Sequence, residues 1–132
     1  MALDLDRLPE EVLAFLAERQ LATLSTQRPD GSLHVVPVGF GYDVASRTAR
    51  IITFEGARKA RSLDGERAGA RAVLCQFDGG RWLTLEGRGR VVRDAEGVAE
   101  AVAAYAARYD APGDREGRVA IEIAVERIMG RG

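Results

Sequence analysis

The stretch DGGRWLTLEGRGRVV, residues 78–92, carries the strongest fold signal in this chain. Asp78-Gly79-Gly80 has the composition of a tight hairpin turn, and it separates two strand-like segments, Arg71–Phe77 and Arg81–Val92. Gly87 and Gly89 interrupt the second segment, which is typical of a bulge or bend at the corner of a barrel. The stretch therefore predicts a pair of long antiparallel strands inside a barrel.

The remaining sequence predicts four further strands and three short helices. The strands are Leu21–Thr26, Leu33–Tyr42, Arg47–Phe54 and Arg118–Glu126. The helices are Leu8–Arg19, a basic one from Ala57 to about Asp64, and one capped by Asp94 that runs to about Tyr109. Pro37 lacks a backbone N–H, so the strand that contains it is expected at a sheet edge or at a bulge.

These elements favour a mainly β, six-stranded antiparallel barrel with short helices, built as one domain over residues 1–132. Tight hairpins dominate, and no strand leads into a Gly-rich phosphate loop followed by a crossover helix. A Rossmann-type parallel sheet is therefore not expected.

Composition excludes several classes of protein. The formal net charge is −1, which argues against bulk electrostatic binding of nucleic acid. One cysteine and one histidine exclude an internal disulfide and make a structural zinc site, or any metal site, unexpected. Residues 1–20 contain five acidic side chains and no uninterrupted apolar segment, so we expect no signal peptide, no membrane span and a soluble cytoplasmic protein.

Lys59 is the single lysine beside eighteen arginines, and the chain has no asparagine. Lysine and asparagine codons are AT-rich, so both features indicate a GC-rich genome, in which surface lysines drift to arginine. A retained lysine next to Arg58 and Arg61, at a strand-to-helix junction, is consistent with an anion site to which Thr53 adds a hydroxyl. The alternative is a lysine left by chance on a solvated helix face.

The side chains offer little for acid–base or covalent catalysis. His34 is the only histidine, no Gly-x-Ser-x-Gly elbow is present, and Cys75 lies in an apolar strand where a buried thiol is usually inert. A bound cofactor would therefore supply the difficult chemistry of any reaction. Trp82 is interpreted either as the wall of a flat aromatic pocket or as a core or interface residue.

The order of elements resembles the FMN-binding split β-barrel family of pyridoxamine 5′-phosphate oxidases. The resemblance runs from about Leu8 to Met129 and depends on HVVPVGF (residues 34–40), RKAR (residues 58–61) and RWLTLEG (residues 81–87). Within that family the chain is most similar to the actinobacterial deazaflavin-dependent reductases that use coenzyme F420, and among them to a small biliverdin-reducing subgroup.

The resemblance implies a homodimer with two cofactor grooves at the subunit interface. It implies that Arg58, Lys59 and Ala60 hold the phosphate and tail of the cofactor. The other residues implied to contact the cofactor are Val36, Pro37 and Val38 under the ring, Thr53 and Phe54 along the groove, and Gln76, Phe77 and Trp82 on the other side. Ala57 stands where many relatives have arginine.

The resemblance also implies a reaction, in which reduced coenzyme F420 gives a hydride to a small conjugated acceptor such as biliverdin. The propionates of such an acceptor would pair with Arg81, Arg115 or Arg118, and the proton would come from solvent or a nearby acid; no side chain is assigned a catalytic role. Two alternatives remain open at this stage: an FMN-dependent oxidoreductase on the same barrel, and a non-enzymatic tetrapyrrole or haem-binding module with His34 as ligand.

Overall fold

The computed structural model describes residues 2–132, which form a seven-stranded antiparallel sheet with three helices. The strands are β1 Ala22–Gln27, β2 Leu33–Val38, β3 Gly41–Asp43, β4 Thr48–Phe54, β5 Ala70–Asp78, β6 Arg81–Val92 and β7 Arg118–Arg131. The helices are α1 Glu10–Ala17, α2 Arg58–Arg61 and α3 Ala95–Arg108.

The strands lie in the order β2-β1-β5-β6-β7-β4-β3. The sheet is not closed: β2 and β3 are its two edges, and within residues 2–132 they do not pair with each other. The predicted mainly β, antiparallel split barrel is thus confirmed. Pro37 lies on the edge strand β2. Its missing backbone N–H therefore does not interrupt the hydrogen bonds between strands in the middle of the sheet.

The structure has seven strands where six were predicted, because the segment Leu33–Tyr42 breaks at Phe40. The Phe40 N–H donates to the Tyr109 hydroxyl at 3.2 Å, and its carbonyl accepts from the Arg108 guanidinium at 2.8 Å. Side chains at the end of α3 therefore replace strand partners at this point. The chain can then cross from one edge of the sheet to the other.

The hairpin and the bulge in residues 78–92 are confirmed. Asp78 pairs with Arg81 across the turn, and Gly79 has φ +60°, a conformation that glycine adopts without strain. The pairing of β6 with β7 shifts register between Glu86 and Gly87. A Cβ at Gly87 would lie 2.1 Å from the Ala124 carbonyl oxygen, so only glycine fits this close approach.

Strand β7 runs to Arg131, beyond the predicted end at Glu126. The bulge explains the error. Gly87 pairs with Val125 and Glu86 with Arg127, so Glu126 is an extra residue on β7 and interrupts the alternation of buried and exposed side chains. The apolar pattern resumes with Ile128, which is fully buried.

The barrel interior is filled by aliphatic side chains from the strands, by Phe15 of α1 and by Leu63, which follows α2. The basic helix ends at Arg61 rather than at the predicted Asp64, and Leu63 then enters the core. Helix α3 begins as predicted, because the Asp94 carboxylate accepts a hydrogen bond from the Gly97 N–H at 2.9 Å.

Candidate functional site

Four elements meet at one shallow pocket of about 250 Å³, and three of them carry positive side chains. Helix α2 carries Lys59, the loop before β7 carries Arg115 and β7 begins at Arg118, whereas β4 ends at Thr53 and Phe54. The pocket is lined by Ile52, Thr53, Phe54, Lys59, Arg115 and Arg118. We call it the Lys59 pocket. Phe54 and Arg118 are cross-strand partners, so the antiparallel pairing of β4 with β7 fixes their proximity.

Two of the cations of the Lys59 pocket lie over the Phe54 ring. The Arg115 guanidinium carbon lies 3.9 Å from the ring centroid, and the Lys59 ammonium lies 5.9 Å from it. Contact with the negative face of an aromatic ring stabilises a cation without neutralising its charge. The ring supplies no counter-charge, so neither contact competes with an anionic ligand.

Positive charge in the Lys59 pocket is not compensated by the protein. Among residues 2–132, no carboxylate oxygen lies within 4.0 Å of Lys59, Arg115 or Arg118. Burial lowers the pKa of Lys59, and the neighbouring Arg115 lowers it further. A bound anion would favour the charged form of Lys59 and so counteract this lowering, which means that the pocket favours an anionic group.

Thr53 also lines the pocket, but the alternation of β4 places its side chain on the barrel-interior face with Ile51, opposite Phe54. Its Oγ1 atom is buried and has no hydrogen-bond partner within the described residues. The three cations match the donor set that binds phosphate and carboxylate oxygens, so they fit the acidic portion of a phosphorylated cofactor.

The other two predicted α2 residues have different environments. Ala60 is buried under the helix, whereas Arg58 is half-buried. Burial lowers the pKa of His34, and the charges of Arg28, Arg58 and Lys59 lower it further, which links α2 electrostatically to the start of β2. Because α2 has only four residues, the helix dipole adds less to the site than the predicted longer helix would have.

Strand β2 divides its three predicted contact residues between two faces. Val38 is buried in the core and Val36 packs against it from the interior side, whereas Pro37 is exposed on the opposite face. Successive residues of a strand point to opposite sides of the sheet. One flat ligand outside the sheet therefore meets the side chain of Pro37 but not those of Val36 and Val38.

Gln76 lies in the protein interior, away from any ligand surface. It is fully buried; its Nε2 donates to the Phe15 carbonyl at 2.8 Å and its Oε1 accepts from the Arg108 guanidinium. Arg108 also donates to the carbonyls of Glu18 and Phe40. The amide of Gln76 thus connects α1, β5 and α3, and both of its polar atoms are already engaged.

Phe77 and Trp82 lie on an exposed apolar surface. They are cross-strand partners beside the hairpin turn, and their exposed fractions are 60% and 40%. The same side of the sheet continues through Cys75 and Val73 to Pro37 and Val35. We call this surface the outer face, and its most exposed members are Leu33, Val35, Phe77 and Trp82.

The structure therefore brings some of the predicted site residues together in the Lys59 pocket and places the others elsewhere. Thr53, Phe54 and Lys59 share the Lys59 pocket with Arg115 and Arg118, which had been predicted as substrate contacts. None of Pro37, Phe77 and Trp82 lines this pocket. Arg81, the third predicted substrate contact, is instead engaged by Glu18 and Asp78.

Sequence reasoning missed the contribution of Arg115 and Arg118 to the Lys59 pocket. The available signal was the register between β4 and β7, which places the start of β7 opposite the end of β4. Predicting that register requires knowing that these two strands pair, although 63 residues lie between Phe54 and Arg118.

The chain belongs to the pyridoxamine 5′-phosphate oxidase family, whose model matches residues 8–131. This confirms the family that the sequence motifs indicated. The chain is 48% identical over 124 residues to a biliverdin reductase of Mycobacterium tuberculosis (strain CDC 1551 / Oshkosh) that depends on reduced coenzyme F420. The alignment covers 94% of this chain and 88% of that protein.

Solved structures share the fold at lower sequence identity. An F420 reductase superposes with a TM-score of 0.72 and 24% identity, covering 92% of this chain and 98% of that one. The haem storage protein HutZ of Vibrio cholerae superposes with a TM-score of 0.73 and 20% identity, covering 96% of each chain. At these identities the likeness establishes the split barrel alone.

Two further observations concern residues 2–132. They include no helix both long and apolar enough to cross a membrane. They also include no group of three or more His, Cys, Asp or Glu side chains arranged to hold a metal ion.

Proposed function

We propose that this protein is a coenzyme F420-dependent reductase whose acceptor is biliverdin or a similar conjugated tetrapyrrole. The observation that carries the proposal is the 48% identity, over nearly the whole chain, to a biliverdin reductase that uses this cofactor. The Lys59 pocket supports it, because its uncompensated cations suit an acidic, phosphorylated cofactor.

The protein's part in this reaction is to bind, orient and exclude water. Lys59, Arg115 and Arg118 hold the acidic part of the cofactor. The deazaflavin, when bound, supplies the hydride that reduces biliverdin to bilirubin. No side chain of this chain is assigned the role of proton donor.

We further propose that the protein acts as a homodimer joined through the outer face. Four large apolar side chains on this face, Leu33, Val35, Phe77 and Trp82, are 40–66% exposed in the single chain. Contiguous exposed apolar surface on one side of a sheet is typical of an interface. In such a dimer, Pro37, Phe77 and Trp82 would complete a cofactor groove with the Lys59 pocket of the partner copy.

The alternatives from the sequence are not favoured. An FMN-dependent enzyme would use the same barrel, but the curated relative at 48% identity uses reduced coenzyme F420. The likeness to the haem storage protein, at 20% identity, establishes the fold alone and gives no support to haem binding through His34.

A cofactor screen followed by turnover tests the proposal. Purified protein is titrated into coenzyme F420 and into FMN while the fluorescence of each is recorded, and biliverdin is then added with the reduced form of the bound cofactor. We expect saturable quenching with F420 and a loss of biliverdin absorbance accompanied by bilirubin formation. Purified yellow protein that retains FMN and leaves F420 fluorescence unchanged would refute the proposal.

A further inference from the structure

Arg93 forms a double fork with two carboxylates at the end of β6. Its guanidinium donates to Glu55 through Nε at 2.8 Å and Nη2 at 2.9 Å. It donates to Asp64 through Nη1 at 3.0 Å and Nη2 at 2.5 Å. Two bidentate contacts fix the orientation of all three side chains more firmly than a single ion pair does.

The two carboxylates lie at the two ends of the segment that carries Lys59. Glu55 precedes α2 and Asp64 follows it, so residues 55–64 are attached to β6 at both ends. Glu55 also donates its backbone N–H to the Gly117 carbonyl at 2.8 Å, which joins the same network to the loop that carries Arg115. Arg93 thus holds both ends of the segment that carries Lys59, and the backbone of Glu55 joins this segment to the loop that carries Arg115.

The network also determines which charges are free. Arg93 is the main cause that lowers the pKa of both Glu55 and Asp64, so both are ionised at neutral pH. They lie close in sequence to Arg58, Lys59 and Arg61, yet among residues 2–132 no carboxylate lies within 4.0 Å of these three cations. Without Arg93, two ionised carboxylates on the same short segment would be available to pair with them.

We propose that Arg93 is a positioning residue of the Lys59 pocket, which withholds Glu55 and Asp64 from the pocket cations and so keeps the pocket open to an anionic ligand. Arg93 is 46% exposed and lines no part of the pocket itself. Its effect on binding therefore passes through the two carboxylates. The identity of the ligand as coenzyme F420 rests on the function proposed above.

The test compares binding by Arg93→Gln with binding by the triple variant Arg93→Gln, Glu55→Gln, Asp64→Asn. We expect Arg93→Gln to raise the Kd for coenzyme F420 about tenfold, the scale of one charge-assisted contact. The triple variant, which lacks the competing carboxylates, should bind within about threefold of the unaltered protein. Arg90→Gln is the matched control, because Arg90 is an exposed arginine near the end of β6, three residues before Arg93, and pairs only with Glu122.

Trypsin cleavage of the ligand-free protein distinguishes two consequences of losing Arg93. One is competition of the freed carboxylates for the pocket cations, and the other is greater mobility of residues 55–64. Arg58, Lys59 and Arg61 are tryptic sites, so loss of the Arg93 contacts should speed cleavage in residues 55–64 in both Arg93 variants. Recovered affinity with persistent fast cleavage would show that the carboxylates compete for the cations. Arg93→Lys keeps a charge beside both carboxylates but loses the double bidentate contact, so it should bind F420 less tightly than the unaltered protein. This comparison carries the test if the glutamine variant does not fold.

Unchanged affinity in Arg93→Gln would overturn the proposal, as would a triple variant that binds no better than Arg93→Gln. Inorganic phosphate serves as a second probe, measured by calorimetry with the same variants. If the unaltered protein binds phosphate but not F420, the proposed function fails while the role of Arg93 is still tested. If the unaltered protein binds F420 and the Arg93 variants behave like it, only the role of Arg93 fails.

Discussion

The guanidinium of Arg115 lies against the ring of Phe54, with its central carbon 3.9 Å from the ring centroid. Phe54 is the last residue of β4, and Arg115 lies in the loop before β7. The contact holds a loop cation at the edge of the Lys59 pocket, where burial and this second positive charge lower the pKa of Lys59. The pair therefore links loop geometry to the charge state of the pocket lysine.

This link predicts a pH dependence of cofactor binding. An anionic ligand favours the protonated ammonium of Lys59, so affinity should fall as pH rises through the lowered pKa of this lysine. Arg115→Ala removes one cause of the lowering, so the fall should move to higher pH while affinity at neutral pH decreases several-fold. Fluorescence titration from neutral to alkaline pH measures both effects, and identical pH profiles in the two proteins would contradict the link.

Lys59→Ala should weaken cofactor binding without unfolding the protein. A charge-assisted hydrogen bond contributes about 1.5–3 kcal/mol, which corresponds to a rise in Kd of roughly ten- to a hundredfold. The fold should tolerate the change, since Lys59 has no carboxylate partner within 4.0 Å among residues 2–132. Arg7→Ala is the control, an exposed cation that lines none of the pocket. Equal affinities in the two variants would show that Lys59 does not contribute to cofactor binding.

Phe77→Asp should dissociate the proposed dimer. The substitution places a charge on the outer face opposite Trp82, where a partner copy would bury it at a high energetic cost. Sedimentation velocity at several protein concentrations should show a dimer for the unaltered protein and a dissociation constant raised at least about tenfold for the variant. Val44→Asp is the control, because Val44 is 44% exposed in the turn after β3. A monomeric unaltered protein would contradict the dimer.

Gln76→Leu should reduce stability and leave cofactor affinity unchanged. The leucine would leave the Phe15 carbonyl and one end of the half-buried Arg108 guanidinium without a hydrogen-bond partner, at a cost of about 1–3 kcal/mol in the free energy of unfolding. Urea denaturation measures this loss. Gln27→Leu alters an exposed glutamine of β1 and should have little effect. Weaker F420 binding by folded Gln76→Leu would instead show that Gln76 contributes to cofactor binding.

Gly87→Ala should destabilise the barrel because a methyl group has no space at the bulge. The added Cβ would lie 2.1 Å from the Ala124 carbonyl oxygen, so the backbone of β6 or β7 must shift. Overpacking of this kind costs about 1–3 kcal/mol. Gly113→Ala is a matched control, since its Cβ would meet nothing within 4 Å. Equal melting temperatures for the two variants would show that the bulge accommodates the methyl group.

Elements whose signals are local could be predicted well. The turn at residues 78–80, the cap at Asp94 and the edge position of Pro37 depend on a few adjacent residues, and the structure confirms each. The break at Phe40 could not be predicted in the same way. Its backbone partners are Arg108 and Tyr109, nearly seventy residues away, and nothing in the local sequence indicates that they replace a strand neighbour.

The candidate site likewise combines residues that local sequence could predict with residues that only long-range pairing brings together. Lys59 was noticeable from composition and Thr53 from its neighbourhood in sequence, and the structure places both in one pocket. The family resemblance implied that Gln76 lines the groove with Phe77, yet the alternation of the strand directs its side chain into the core. Arg115 and Arg118 enter the pocket only because β7 pairs with β4.

The sequence by itself determined the family, the hairpin, the bulge and the single lysine on the basic helix after β4, because each is encoded in contiguous residues. Only the tertiary structure decided which cations share the Lys59 pocket, with which carboxylates Arg93 forms ion pairs and which apolar residues form the outer face. These depend on strand register and on long-range pairing, in which a shift of one residue exchanges the two faces of a strand.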